Sequence, residues 1–342
     1  MILKELKKVK IMKKYDVVAL GELLIDFTEN GISGQGNPLF EANPGGAPCN
    51  VLAMLEKLGD KTAFIGKVGA DFFGEQLKRA LIEVGIDTTY LYMDEDIHTT
   101  LAMVHTMAHG DRDFSFYRNP GADMMLTEED VAEEAIADAK IFHFGTLSMT
   151  HVGVRKATKK AISIAKEKGN IISFDPNLRP PLWESLKMAK EQVLYGLTFC
   201  DVLKISDNEI QWLTGKKDFD EGVFWIKEKY PEISLILLSM GKDGSRAYYR
   251  DVKVEVSAFA QEKTIETTGA GDTFCGCMLH GICKYGLDNL DSMKLKKMLT
   301  FANAAASLIT MRKGALRVMP SKKEVEDMLA MRCKKDEIVN FL

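Results

Sequence analysis

Six short apolar runs punctuate the chain, at Val17–Leu20, Ala63–Ile65, Ile141–Phe144, Ile171–Phe174, Val202–Ile205 and Leu235–Leu238, each bounded by glycine or polar turns. Apolar runs of this length suit strands buried on both faces, as in a parallel sheet. Stretches of helical spacing lie between most of them, at Asn50–Leu58, Gly74–Val84, Thr127–Ala139, His151–Lys168, Asp207–Leu213, Asp220–Lys229, Asp272–Lys284, Asp291–Leu308 and Ser321–Ala330. Alternating strands and helices predict an α/β fold, a doubly wound sheet in a three-layer sandwich. Two segments break the rhythm. Phe27–Ala42 is rich in Gly, Asn and Ser, and Thr99–Arg118 alternates around a turn at Gly110-Asp111, the pattern of a hairpin. His105 and His109 stand four apart there, but on a strand and turn that spacing shares no helix face, so they are not read as a metal pair.

Length and charge narrow the partners. With 342 residues, 46% of them hydrophobic, the chain can fill one large domain with an elaboration, or two modest ones. The net charge of −4 supplies no basic field for nucleic acid or an anionic membrane, so an anionic ligand must be held locally. No segment approaches 18 uninterrupted apolar residues, and no membrane span is expected. The six cysteines, at 49, 200, 275, 277, 283 and 333, fit neither a disulfide framework nor zinc knuckles, which points to a reduced, cytoplasmic setting. Cys275 and Cys277 are read as small packing residues. The lysine-rich stretch Met1–Lys14 has no apolar signal core and is read as a solvated tail, with Met12 an alternative start.

Candidate chemistry concentrates in two small-residue turns. In Thr267-Thr268-Gly269-Ala270-Gly271-Asp272-Thr273-Phe274 the small side chains let the backbone N–H groups of Gly269, Ala270 and Gly271 converge on an anion at a helix start. Asp272 would repel a bound phosphate, yet it is well placed to take the proton of a hydroxyl attacking one. The alternative is an ordinary turn with Asp272 as helix cap. The second turn, Asn43-Pro44-Gly45-Gly46-Ala47-Pro48-Cys49-Asn50, pairs Gly45 and Gly46, which permit close approach of a ligand, with Asn50, both donor and acceptor, as a polyol requires.

In this order and separation the two turns resemble the signatures of the ribokinase, or phosphofructokinase-B, family of carbohydrate kinases. The likeness runs from about Tyr15 to Pro320 and includes Gly21-Glu22-Leu23-Leu24-Ile25-Asp26, Gly66–Gly74, Asp175-Pro176-Asn177-Leu178-Arg179, Ser239–Gly244 and Asn303–Ala306. The resemblance implies a ribokinase-like α/β/α sandwich over 15–330, with a small β lid at about 27–42 and 99–118 and a C-terminal tail at 331–342. It implies ATP-dependent phosphorylation of a sugar, with Asp272 as base and Mg²⁺ as cofactor. Asp26 would accept sugar hydroxyls; Arg118 would reach the substrate, with a surface arginine as the alternative, and Arg179 would reach nucleotide phosphate or substrate, with an ion pair as the alternative. Glu209 would support Mg²⁺, through water, since Ser206 stands where asparagine is usual. Ser239, Gly241, Gly244 and Asn303 would border the nucleotide. A K⁺ ion near the anion loop is a family property that Glu266 leaves open, being one methylene longer than the usual aspartate.

Asn119-Pro120-Gly121-Ala122-Asp123 after Arg118 is most similar to the fructokinase branch, which makes the 6-hydroxyl of fructose the expected acceptor. Its competitors are 2-keto-3-deoxygluconate, for which a pair of arginines in the sugar pocket would argue, then ribose or a nucleoside. A sugar-binding regulator without catalysis would have no use for Asp272, and a nicotinamide dehydrogenase would show G-x-G-x-x-G after the first strand, where Gly21-Glu22-Leu23 stands. A homodimer through the lid is a further expectation, since lid strands leave an edge that can pair.

Overall fold

The computed structural model describes residues 13–106, 112–259, 261 and 264–339. Its strands are β1 (Tyr15–Leu20), β2 (Leu24–Ile32), β3 (Pro38–Gly45), β4 (Thr62–Gly69), β5 (Leu91–Asp94), β6 (Leu101–Thr106), β7 (Arg112–Tyr117), β8 (Ala139–Gly145), β9 (Ile171–Asp175), β10 (Val202–Ser206), β11 (Leu235–Ser239), β12 (Ser245–Tyr249) and β13 (Val252–Val256). Its helices are α1 (Ala47–Leu58), α2 (Phe72–Val84), α3 (Glu133–Ala137), α4 (Val152–Glu167), α5 (Leu186–Phe199), α6 (Asp207–Thr214), α7 (Phe219–Lys229), α8 (Ala270–Tyr285), α9 (Ser292–Ile309) and α10 (Lys322–Val339).

The six apolar runs are the strands β1, β4, β8, β9, β10 and β11 of one nine-stranded sheet, ordered β13-β12-β11-β10-β9-β8-β1-β4-β5 and parallel from β11 to β5. Successive side chains serve opposite layers. Val17 and Ala19 bury with Leu52 of α1, Leu77 of α2, Met278 of α8 and Leu299 of α9. Val18 and Leu20 bury with Ile162 of α4, Leu197 of α5 and Ile226 of α7. Both faces of the sheet are therefore covered, which is why the runs are continuously apolar. β1 lies between β4 and β8, so the strand order reverses there and opens a crevice beyond the carboxyl ends of the strands.

Four strands form a separate sheet, β3-β2-β6-β7, with β2 and β6 parallel and the outer pairs antiparallel. They occupy the two segments that broke the helical rhythm; the turn at Gly110-Asp111 and His109 lie outside the described residues. Among the described residues no helix is long and apolar enough to cross a membrane.

Some elements differ from the sequence reading. α5 was not foreseen because Gly196 interrupts its pattern, yet a Cβ there would meet the Phe174 ring at 2.5 Å, so the glycine is what lets the helix sit against β9. The expected helix over Thr127–Ala139 shrinks to α3, since Thr127 donates to Asp130 from both its amide and its hydroxyl and closes a turn instead. The hairpin of β12 and β13 extends the sheet antiparallel, and α10 runs past residue 330.

Arg118 requires a correction. Expected at the substrate, it is buried and donates to Asp123 Oδ2 from Nε (2.8 Å) and Nη2 (2.6 Å), to Thr150 Oγ1 (2.9 Å) and to the Leu147 carbonyl (3.0 Å). Thr100, at the start of β6, donates to the other Asp123 oxygen. Four donations to protein engage the guanidinium and tie the root of the small sheet to the main body. Removing one member of such a pair leaves a buried charge uncompensated, so Arg118→Ala should lower the unfolding free energy by about 3–5 kcal/mol, partly recovered by adding Asp123→Ala. Denaturant titration checks this, and a loss below about 1 kcal/mol would show the pair to be dispensable.

Candidate active site

The anion loop lies where the sequence placed it. Gly269 adopts the left-handed conformation (φ 77°) and precedes α8, and a Cβ on it would come within 2.7 Å of the Ala315 side chain. The Ala270 N–H turns toward the Thr267 carbonyl at 3.3 Å. Among the described residues the amides of Gly271 and Asp272 meet no backbone carbonyl, and they head a 16-residue helix, the favourable end for an anion. Ala270 is thus the one member of the expected trio whose amide is already engaged.

Asp272 owes its position to a contact between helices. α8 crosses α1 at Gly276, where a Cβ would stand 2.8 Å from the Met54 Cβ and 2.9 Å from the Val51 carbonyl. The two helices approach closely there, and Asn50 Nδ2 donates to Asp272 Oδ2 at 2.8 Å. Burial raises the carboxyl of Asp272 above its usual range, against the Asn50 hydrogen bond and the positive charges of Lys204 and Arg179. Asn50, read from sequence as a polyol ligand, has a further task here: it orients the Asp272 carboxylate.

A cavity of about 650 Å³ opens over this pair, bordered by Glu22, Asp26, Asn50, Arg179, Lys204 and Asp272, with the small sheet contributing Asp26 and Phe116. Gly45 faces Asp26: a Cβ would fall 2.4 Å from Asp26 Oδ2, so the glycine makes room for the carboxylate. Gly46 has φ 126°, and a Cβ there would strike the Glu22 carbonyl at 2.4 Å. Glu22 is buried; its Oε1 accepts the Ala47 N–H at 2.9 Å, and desolvation pushes its carboxyl up to about 7.

Beneath the anion loop lies a charged cluster. Lys204 Nζ is 2.9 Å from Asp175 Oδ2, both side chains buried. Burial opposes the lysine's charge, but Asp175 and Glu209 outweigh it and keep it protonated; burial pushes Asp175 to about 6. Glu209 Oε1 accepts the Leu178 N–H (2.7 Å), and its Oε2 accepts the Ser206 N–H (2.8 Å) and hydroxyl (2.7 Å). Ser206 thereby caps α6, and both Glu209 oxygens are engaged. These residues suit a hydrated divalent cation held through water better than direct coordination.

A second cavity, of about 440 Å³, is bordered by Ser239, Gly241, Gly244, Phe274, Asn303 and Ala306, and it shares Thr264, Thr267 and Gly271 with the first. Gly244 (φ 98°) passes so close to β13 that a Cβ would stand 2.2 Å from the Val256 carbonyl. Asn303 borders this cavity, but its polar atoms are spent on the wall: Nδ2 donates to the Val256 and Ser257 carbonyls, and Oδ1 accepts from Ser245.

The structure therefore brings Asp26, Gly46, Asn50, Arg179, Gly269, Gly271 and Asp272 around one cavity, with Gly45 just behind Asp26, and Ser239, Gly241, Gly244 and Asn303 around the adjoining one. Arg118 is in neither. The sequence reading gave no role to Lys204 or Asp175. The signal for Lys204 was present, a charge inside the apolar run Val202–Ile205, where burial on both faces leaves no route to solvent.

Comparison with known proteins agrees with this geometry. The model of the pfkB family of carbohydrate kinases matches residues 14–322. Fructokinase-1 of Zea mays is 39% identical over 315 residues, 92% of this chain and 97% of that protein. A fructokinase of Xylella fastidiosa solved with bound ATP superposes with a TM-score of 0.85 at 30% identity, covering 93% of this chain and 99% of that one. A double-mutant fructokinase of Vibrio cholerae O395, solved with fructose, ADP and a potassium ion, gives 0.83 at 28% identity, with 92% and 98% covered. A family match across nearly the whole chain, together with two cavities meeting at one anion loop and one buried carboxylate, shows that the chain belongs to the pfkB family of carbohydrate kinases.

Proposed function

We propose that this chain is an ATP-dependent fructokinase that transfers the γ-phosphoryl group to the 6-hydroxyl of fructose. The observation that carries the reading is the wall shared by the two cavities, Thr264, Thr267 and Gly271, with Asp272 on the sugar side. Sugar in the larger cavity and nucleotide in the smaller one would meet at the anion loop, the arrangement an in-line transfer needs.

Asp272 accepts the proton of the attacking hydroxyl, and the Asn50 amide holds the carboxylate in the orientation for it. The amides of Gly271 and Asp272, at the positive end of α8, stabilise charge on the transferring group. Asp26 and Asn50 bind sugar hydroxyls, and Arg179 borders the acceptor side. Mg²⁺ would be held through water by Glu209 and would screen the nucleotide phosphates. A K⁺ ion beside the anion loop would lie near Glu266, whose Oε2 accepts the Gly314 N–H. Ser239, Gly241 and Gly244 form the nucleotide wall, with Asn303 holding it in place. The small sheet acts as a lid that keeps water from competing for the phosphoryl group.

Fructose rather than 2-keto-3-deoxygluconate is favoured by the cations present. Among the described residues Arg179 is the one arginine bordering the cavity, and Arg118 is consumed by Asp123. Among the described residues no second arginine borders the pocket to complete the pair a substrate carboxylate would call for.

Asp272→Asn should lower kcat by about 10²–10⁴-fold while leaving nucleotide affinity nearly unchanged, because it removes a base and no phosphate ligand. Since the base acts deprotonated and burial raises its pKa, the acid limb of kcat/KM in the parent enzyme should lie above the ordinary carboxylate range near 4. Near-normal turnover by the variant would refute the mechanism. In steady-state kinetics on both sugars, fructose should exceed 2-keto-3-deoxygluconate in kcat/KM by well over about tenfold, because a buried polar site discriminates strongly against a mismatched ligand; the reverse preference would reject fructose and leave the kinase chemistry intact. Bound sugar should slow amide exchange in β2, β3, β6 and β7 far more than in α4 or α5. Uniform protection would argue against a lid.

A further inference from the structure

Lys204 has no structural need to border the sugar cavity. A buried lysine paired with one aspartate would be satisfied within the core, yet this one lies at the edge of the 650 Å³ cavity. It also abuts the anion loop: a Cβ on Gly271 would stand 3.2 Å from Lys204 Nζ and 3.7 Å from its Cε. The absence of a side chain at Gly271 thus leaves the space between the ammonium and a ligand seated on the loop's amides unobstructed.

The charge around it points the same way. Asp175, Glu209 and Asp272 act on the lysine electrostatically, and Glu22, Asp26, Glu266 and Asp272 border the cavity, so its lining is rich in carboxylates. A polyanion entering there meets repulsion unless a cation faces it. Among the described residues Lys204 and Arg179 are the two cations bordering this cavity. Arg179 Nη1 is turned to the neighbouring Leu178 carbonyl, whereas Lys204 is pinned by Asp175 directly under the loop.

We propose that Lys204 is a further catalytic residue, its ammonium contacting a non-bridging oxygen of the phosphoryl group in transfer, and that Asp175 is its positioning residue. In that step the sugar O6–P bond forms, the bond from phosphorus to the β,γ-bridging oxygen breaks with its electron pair leaving on ADP, and the O6 proton passes to Asp272. Lys204 remains protonated throughout and offsets charge on the equatorial oxygens, while Asp175 prevents it from swinging toward Asp272. Lysine serves here as a point charge on phosphate, a role for which its compact ammonium is suited.

The proposal rests on the kinase reading but not on the identity of the sugar, and the test separates the two. Lys204→Gln alone would leave Asp175 buried and unpaired and could unfold the chain, so the comparison is between Asp175→Asn and the double variant Asp175→Asn/Lys204→Gln. The double variant should show a kcat about 10²-fold or more below the single variant, with the KM for fructose within about threefold. Calorimetry without sugar supplies the readout that a structural role would not move. The preference of the Asp175→Asn protein for the β,γ-imido analogue of ATP over ADP should fall at least about tenfold on adding Lys204→Gln. This measurement needs no turnover, so it decides even where the parent is slow. An unchanged preference, or a double variant whose kcat stays within about threefold of the single, overturns the proposal; a wild-type protein that phosphorylates no sugar would overturn the kinase reading instead.

Discussion

The close crossing of α1 and α8 is the constraint on which the site depends. Gly276 removes the side chain that would hold the helices apart, and Val51 and Met54 of α1 fill the space. Both helices begin at the crevice, one after Gly45-Gly46 and the other after Gly269, so their approach sets the 2.8 Å hydrogen bond between Asn50 and Asp272 across 222 residues of sequence. Cys275 and Cys277 flank the crossing as buried packing residues. The five described cysteines are all unpaired, and that fits packing rather than cross-linking.

Around this crossing the site uses charge sparingly. Its carboxylates sit in low dielectric, which raises the proton affinity of Asp272, Asp175 and Glu22, each to a different extent. What keeps them compatible is a short supply of fixed donors: Asn50 for Asp272, Lys204 for Asp175 and the Ala47 amide for Glu22. Asp272 and Glu22 each accept from one such donor, whereas Asp175 also accepts the Asn177 N–H on its other oxygen, at 3.1 Å. The Asp272 carboxylate held in this way is neither fully screened by water nor locked in a strong ion pair.

Several polar residues that look like ligand contacts also hold the wall together. Arg118 closes the root of the small sheet, Asn303 joins α9 to the end of β13 through two carbonyls, and Glu209 completes the capping box that Ser206 forms at α6 while receiving the Leu178 amide. In each case the local backbone has unsatisfied donors or acceptors that must be met when the segment is buried, and a long polar side chain is the available means. Ligand recognition is left largely to backbone groups and short side chains, whose positions the sheet and helices fix directly.

Much of this was legible in the sequence. The apolar runs determined six parallel strands, because strands covered on both faces have no polar side to show, and the glycine turns at 45–46 and 269–271 marked where backbone would approach a ligand. Asp272 stood out because a carboxylate follows the small-residue turn at a helix start, where it can serve either as a base or as a cap. The tertiary structure alone decided which side chains remained available to a ligand. Nothing local distinguishes an arginine aimed at substrate from one engaged by Asp123, Thr150 and Leu147, since those partners come from separate segments. The same holds for Lys204, whose charge was visible within an apolar strand but whose position under Gly271 required the crossover from β10 to α8. Periodicity and turn chemistry are local and survive in one dimension; the pairing of buried charges is a property of which segments meet.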